Sequence, residues 1–290
     1  SSLEITILTA IQSMIYRRCK KIIKIQITTH DDLSEKYLKQ LLKIVSTQTK
    51  LKELDLIGCH IYNNFDFTQY ILAKPQSLRK LVLQKIKFDN YDLIDFILCL
   101  EVLAIKFLSS NLFKESKYNL QNLQRLELVC NEIELNRSIL NIKCKTLKAC
   151  VLYEKYFDKK KELISLLCQN YPNLVTLYYF SSNLRLSSML VELQHLYQLQ
   201  LGGFEYEDLN SFLHNLDTEF VKLKVLVLPL DIELNQLPNL KNFIRQNKYL
   251  ENLKLVKNFN IEKKEDCERE IIDLCQERNV RCSLKVQDIS

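Results

Sequence analysis

The chain of 290 residues carries 41 Lys and Arg against 35 Asp and Glu, a formal net charge of +6, and 47% of its residues are hydrophobic. That hydrophobic fraction excludes a largely disordered chain, and the even mixture of both charge signs differs from the clustered positive charge of nucleic-acid-binding proteins. The three glycines and four prolines are too few for hairpin-rich β folds or glycine-rich nucleotide loops.

The chain opens with residues 1–20, where Leu8, Ile11 and Ile15 share one helical face and predict an N-terminal capping helix. Residues 22–262 then repeat one pattern, apolar-x-x-apolar-x-apolar, with successive starts 22 to 29 residues apart. The first residues of these ten repeats are Ile22, Leu51, Leu78, Leu100, Leu123, Leu147, Leu174, Leu196, Leu223 and Leu250. A period of this length is typical of leucine-rich repeats.

The fourth and sixth residues of each repeat are expected to point inward from a strand, and the residues between them outward. Amphipathic segments that predict helices lie between the strands, at 34–45, 162–169, 208–216 and 237–244. Parallel strands with helical crossovers form a right-handed α/β solenoid, a horseshoe with its sheet on the concave face and helices on the convex face.

The chain closes with residues 263–290, which are predicted to form a C-terminal cap. A helix over 263–278 and an edge strand over 282–286 would cover the open end of the array. No linker or low-complexity stretch divides the chain, so residues 1–290 are predicted to form a single leucine-rich-repeat domain.

Motifs for chemistry are missing from the sequence. The ten cysteines form no CxxC pair, which favours reduced thiols in an intracellular protein, cytoplasmic or nuclear. His30, His60, His195 and His214 lack the spacing of metal ligands. We therefore predict no enzyme, no catalytic residue, no metal and no cofactor. No apolar run reaches the roughly 18 residues of a membrane span, and the start at Ser1 suggests a fragment.

A similar phrase joins a helix end to a strand at residues 41–56, 166–177 and 243–255, with two large apolar residues, a spacer of five to eight residues and then Leu-x-x-Leu. This style resembles the ribonuclease-inhibitor-like repeats of F-box/leucine-rich-repeat proteins, notably their fungal expansions. The resemblance implies that the repeats hold a protein substrate, while an F-box binds a Skp-type adaptor of a cullin ubiquitin ligase. Residues 1–21 contain Leu3-Glu4-Ile5 without the proline of an F-box opening, so the F-box is expected to be absent from this chain.

The outward strand residues are the candidate binding site, because the concave sheet is the usual recognition face of such arrays. Clustered aromatic side chains flanked by basic ones match the composition of interface hot spots. The predicted partner-binding residues are Lys106, Arg125, Glu127, Tyr153, Tyr178, Phe180, Gln198 and Gln200. The alternative is that aromatic residues occur there only because they favour strands.

Three functions remain open at this stage. The leading hypothesis is a protein-interaction module, the substrate-recognition part of an F-box/leucine-rich-repeat ligase subunit, with no binding of nucleic acid or membrane. The second is a stand-alone scaffold or inhibitor protein. The third is a Ran-type GTPase-activating protein, which would need an arginine or asparagine at one edge of the array.

Overall fold

The computed structural model describes residues 21–28, 35–58, 60–61, 77–88, 99–106, 121–129, 139–154, 160–181, 193, 195–202, 223–229, 237–257 and 265–286. The predicted N-terminal capping helix (1–20) and the predicted helix at 208–216 lie outside these residues. The chain forms two compact units, residues 1–147 and 148–290.

The first unit is built on parallel strands that follow the predicted repeats. Each long strand begins two residues after the first apolar residue of its repeat, because that residue packs on the turn leading into the strand. The long strands, in their order in the sheet, are β1 (Lys24–Thr28), β2 (Glu53–Ile57), β4 (Lys80–Gln84), β6 (Val102–Lys106) and β7 (Arg125–Val129). Two short strands, β3 (His60–Ile61) and β5 (Lys87–Phe88), pair with each other, and helix α1 spans Glu35–Ser46.

The second unit continues the same arrangement. Its parallel strands, again in sheet order, are β8 (Ala149–Glu154), β9 (Thr176–Ser181), β10 (Gln198–Gly202), β11 (Val225–Pro229), β12 (Asn252–Lys257) and β13 (Arg281–Val286). Its helices are α2 (Lys160–Asn170), α3 (Leu237–Gln246) and α4 (Glu265–Glu277). Helix α4 and strand β13 are the helix and edge strand predicted for the C-terminal cap, and β13 pairs in parallel with β12.

Inward-facing leucines form the core of each unit. The fourth and sixth repeat residues of β2, β4 and β6–β12 are at most 2% exposed. Neighbouring strands pair these residues directly, as in Leu54 with Leu81 and Leu226 with Leu253. Burying one such side chain stabilises the fold by about 1.5–3 kcal/mol. The predicted α/β leucine-rich-repeat fold is confirmed by this arrangement.

One backbone pattern joins successive strands where they start. The carbonyl oxygen of Ile23 accepts hydrogen bonds from the N–H groups of both Lys52 and Glu53, at 2.8 and 3.0 Å. The carbonyl of Lys52 does the same for Arg79 and Lys80, and equivalent pairs recur in the second unit. Because backbone polar groups at strand ends must find partners, this pattern holds each new strand in register with the last.

Side-chain amides that follow helices α1 and α3 form hydrogen bonds with backbone groups near the strands. Gln48, fully buried after α1, accepts a hydrogen bond from the N–H of Ile22 (3.1 Å) and donates to the carbonyl of Ile44 (3.2 Å). After α3, the Asn247 side chain accepts from the N–H groups of Tyr249 and Leu250. Gln48 thereby satisfies a carbonyl group that the helix end leaves unpaired. Asn247 instead satisfies two N–H groups of the turn that leads into the next strand.

The cysteines of the described segments are free thiols, most of them buried. Cys275 on α4 is fully buried and contacts Cys282, an inward residue of β13. The hydrogen bond between the two thiols raises the pKa of Cys275, and burial adds to that shift. The same hydrogen bond lowers the pKa of Cys282 against the opposing effect of burial. Cys275 fills a core position, as its apolar surroundings in the sequence predict, whereas Cys282 is half-buried.

Candidate functional site

The outward face of the sheet in the first unit is a network of opposite charges. Lys24 Nζ lies 3.6 Å from Glu53 Oε2 and 3.3 Å from Asp55 Oδ2 on the neighbouring strand. From the other side, Lys80 Nζ lies 3.5 Å from the same Glu53 oxygen. Because the residues lie opposite each other on adjacent parallel strands, each carboxylate faces an ammonium group.

The predicted residues of the first unit, Lys106, Arg125 and Glu127, form one ion-pair cluster. Arg125 Nε donates to Glu127 Oε1 at 2.8 Å, and Lys106 Nζ lies 3.1 Å from Glu127 Oε2. Burial raises the pKa of Glu127, but the hydrogen bonds from the two cations outweigh it and leave that pKa below its ordinary value. The two cations therefore share one carboxylate, and the three side chains hold one another in place.

The outward face of the second unit is aromatic instead of charged. Tyr153 on β8 pairs in register with Phe180 on β9, and their ring centroids are 6.1 Å apart with the planes tilted by 33°. Gln198 on β10 donates a hydrogen bond from Nε2 to the Tyr178 hydroxyl at 3.1 Å, and Gln200 lies opposite Tyr178. We call Tyr153, Tyr178, Phe180, Gln198 and Gln200 the aromatic cluster.

Gly202 leaves room for the Phe180 ring of this cluster. This role was not predicted from the sequence. Gly202 is on β10 and lies opposite Phe180 on β9. A Cβ atom at Gly202 would come within 2.5 Å of Phe180 Cδ1. The phenyl ring therefore leans over the glycine and occupies the space that any other residue would fill. The position of Gly202 in a strand was the available signal, since glycine in a strand often marks a close approach.

The predicted aromatic residues are less exposed than the sequence analysis expected. Tyr153, Tyr178 and Phe180 are each half-buried, because neighbouring side chains on parallel strands cover their edges. The large apolar side chains that are exposed in the described segments are Ile23 (56%), Tyr197 (39%) and Tyr249 (50%). All three precede a strand, at the first turn of a repeat, where no neighbouring strand can cover them.

Several outward residues, Ala104 and Asp55 among them, are buried despite their position. Ala104 is 2% exposed and Asp55 is 7% exposed, although both belong to the outward set by strand alternation. Asp55 Oδ1 lacks a hydrogen-bond partner among the described residues, while Asp55 Oδ2 faces Lys24. Strand alternation thus predicts the face on which a residue lies, but not its exposure.

The described residues contain no group of three or more His, Cys, Asp or Glu side chains that could hold a metal ion. His195 is exposed in a turn and His60 lies on short strand β3, whereas His30 and His214 lie outside the described residues. None of the helices in those segments combines the length and the apolar content that a bilayer crossing requires.

Comparison with known proteins gives a structural likeness without a sequence match. No protein-family model and no curated protein matches the chain. Among solved structures, the fold resembles an internalin from Listeria monocytogenes, with 13% sequence identity and a TM-score of 0.46. The match covers 96% of this chain and 84% of the internalin. The internal geometry of the strands is what identifies each unit as a leucine-rich-repeat array.

Proposed function

We propose that the protein is a non-catalytic interaction module, and that the aromatic cluster of the second unit binds its protein partner. The observation that carries this proposal is the pairing of Tyr153 with Phe180 over Gly202, beside the hydrogen-bonded pair of Tyr178 and Gln198. Half-buried aromatic side chains flanked by amides match the anchors of protein interfaces, which combine apolar area with hydrogen bonding.

The cluster is suited to binding because its side chains are already held in place. Phe180 is confined between Tyr153 and the space above Gly202, and the Tyr178 hydroxyl accepts a hydrogen bond from Gln198. Immobilising a free side chain at an interface costs about 0.5–1.5 kcal/mol. Because these rings have lost that freedom on folding, a partner gains most of the contact energy of their exposed faces.

The finer proposal concerns the assembly in which the module works. The helix-to-strand phrases at 41–56, 166–177 and 243–255 resemble F-box/leucine-rich-repeat proteins, which favours the substrate-recognition part of an intracellular cullin-type ubiquitin ligase. The repeats would hold the substrate, and other subunits would transfer ubiquitin. A Skp-type adaptor would bind only through an F-box outside this chain. A stand-alone scaffold or inhibitor would use the same surface without an adaptor.

A site-specific photo-crosslinking experiment tests the binding surface. A photoreactive amino acid at Gln200 should crosslink a defined partner in cells, and the same group at exposed Arg245 on α3 should not. The double variant Tyr178→Ala/Phe180→Ala should abolish the crosslink from Gln200 while the chain still folds and unfolds in one cooperative thermal transition. A partner that crosslinks equally from both sites, or survives the double variant, would exclude the aromatic cluster as the binding surface.

A second experiment separates the two assemblies. Purified Skp-type adaptor is mixed with the full-length natural protein and with the 290-residue chain. The ligase proposal predicts that the adaptor binds the full-length protein with 1:1 stoichiometry and does not bind residues 1–290 alone. Failure of the full-length protein to bind the adaptor would favour the stand-alone scaffold and leave the crosslinking result unaffected.

A further inference from the structure

A groove runs along the first unit where its strands begin, and it includes Glu53 and Lys80 of the charged outward face. Its volume is about 830 Å³, and it is lined by residues that enter or start β2, β4 and β6 together with the turn after α1. Neighbouring strands are about 4.8 Å apart, so the starts of four strands span roughly 15 Å, the length of four or five extended residues. The groove therefore has the dimensions of a short peptide segment.

Positive charge predominates in this groove. Four cations line it, Lys50, Lys52, Arg79 and Lys80, against the two carboxylates of Glu53 and Glu101. Arg79 Nε is paired with Glu101 at 3.5 Å and Lys80 with Glu53 at 3.5 Å. Lys50 and Lys52 are exposed and form no salt bridge with the described residues. The groove thus presents two uncompensated ammonium groups.

The same edge of the second unit provides a natural comparison. Tyr249 and Glu251 lie one residue before and one residue after Leu250, the first leucine of the last repeat. Lys50 and Lys52 hold the same positions around Leu51 in the second repeat. Glu251 is paired there with Lys224 at 2.5 Å, and Lys224 lies over the Tyr197 ring at 5.7 Å from its centroid. Lys224 is thus already matched at that edge, whereas Lys50 and Lys52 form no such pair with the described residues.

We infer that this groove binds an extended acidic segment of a protein partner, independently of the aromatic cluster. Aspartate and glutamate side chains would pair with Lys50 and Lys52. At one end of the groove, the 56% exposed side chain of Ile23 would contact an apolar residue of the same segment. Charge complementarity of this kind mainly raises the association rate and selects the partner.

A peptide fits the groove better than a nucleic acid does. Glu53 and Glu101 interrupt the positive charge, and a phosphodiester chain with one charge per nucleotide would meet both carboxylates. A peptide can place neutral or apolar residues at those points. In addition, the residues lining the groove include no aromatic ring on which a base could stack, and stacking is a principal source of single-strand affinity.

Fluorescence anisotropy on the full chain tests the inference. The probe is a fluorescein-labelled peptide of alternating Asp and Glu with a single Leu, and its Asn/Gln counterpart serves as the neutral control. The acidic peptide should bind saturably and more weakly as salt rises, since salt screens exposed charges. The double variant Lys50→Ser/Lys52→Ser should weaken binding by about tenfold, the effect of losing two exposed charge contacts.

Two matched variants make the result specific. Lys148→Ser/Lys248→Ser removes two exposed lysines outside the groove and should leave the affinity at the wild-type value. Glu101→Gln releases Arg79 from its pair and should tighten binding. Equal losses in both lysine double variants, or unchanged binding in Lys50→Ser/Lys52→Ser, would overturn the inference. Tighter binding of a labelled oligothymidylate, lost in Lys50→Ser/Lys52→Ser, would also overturn it, because the groove would then bind nucleic acid.

Discussion

The two units share an inward face and differ in their outward face. In both, leucine or an equivalent apolar residue occupies the inward positions of β2, β4 and β6–β12 with at most 2% exposure. Outward, the first unit presents Lys24, Glu53, Lys106, Arg125 and Glu127 in ion pairs, and the second presents the aromatic cluster. The repeat therefore constrains only alternate residues of each strand. The remaining positions are free to carry a surface chemistry of their own.

The largest effect should come from the inward positions, and it should be the same in both units. Leu126→Ala and Leu226→Ala each remove a fully buried leucine, which typically costs 2–5 kcal/mol through lost burial and a residual cavity. Denaturant unfolding of the full chain measures this loss. The outward variant Gln200→Ala should change the free energy of unfolding by no more than about 0.5 kcal/mol. Comparable losses at Gln200 and Leu226 would contradict the division between the two faces.

An intermediate effect is expected at the contact that is special to the second unit. Gly202→Ala would place a methyl group against the Phe180 ring, and such overpacking typically costs about 1–3 kcal/mol. Phe180→Ala removes the ring, so adding Gly202→Ala to that variant should cost little. A double-mutant cycle in the free energy of unfolding measures the coupling. Additive effects would show that Gly202 does not position Phe180.

A smaller effect is expected in the charged face of the first unit. Glu127→Gln removes the charge that Arg125 and Lys106 contact and should cost about 1 kcal/mol near neutral pH. The folded pKa of Glu127 is lowered, so the stability it contributes is present above its unfolded pKa. That contribution to stability is lost as the pH falls through the pKa of Glu127 in the folded protein.

Unfolding of wild type and Glu127→Gln across this acidic range should therefore converge toward low pH. Glu277→Gln, at an exposed position at the end of α4, is the matched control and should differ little from wild type at any pH. A constant difference between Glu127→Gln and wild type down to the lowest pH would contradict the assignment.

The smallest effect should appear at the edge of the first unit. Lys24 is half-exposed, and its contacts with Asp55 and Glu53 raise its pKa, but an exposed pair is strongly screened. Lys24→Ala should lower the thermal unfolding temperature slightly at low salt and not at all at high salt. A loss that persists at high salt would mean that the buried partner Asp55 depends on Lys24 for more than screened attraction.

Much of the fold was predictable because the strand positions follow from a local rule. The spacing of Leu51, Leu54 and Leu56, repeated along the chain, predicted both the strand starts and the buried face, and Leu-to-Leu pairing between strands confirms it. The helix and strand of the C-terminal end were predicted from the same periodicities. The horseshoe shape and the single domain stay predictions.

The candidate site was predictable only in part. Strand alternation placed Tyr153, Tyr178 and Phe180 on one face, and register brings Tyr153 against Phe180. Strand alternation could not predict that these residues are half-buried, because exposure depends on which side chains flank a residue on neighbouring strands. Those neighbours lie more than 20 residues away in the chain. Ile23 and Tyr249 were missed for the same reason, since they precede strands and have no such neighbour.

By itself, the sequence determined the leucine ladders and the identity of the outward residues, because both depend on spacing within one strand. The tertiary structure alone decided that Phe180 rests over Gly202, that Glu127 is held between two cations, and that Lys50 and Lys52 share a groove with Arg79. Each of these depends on the register between strands from different repeats, which is a property of the packed chain and not of any local segment.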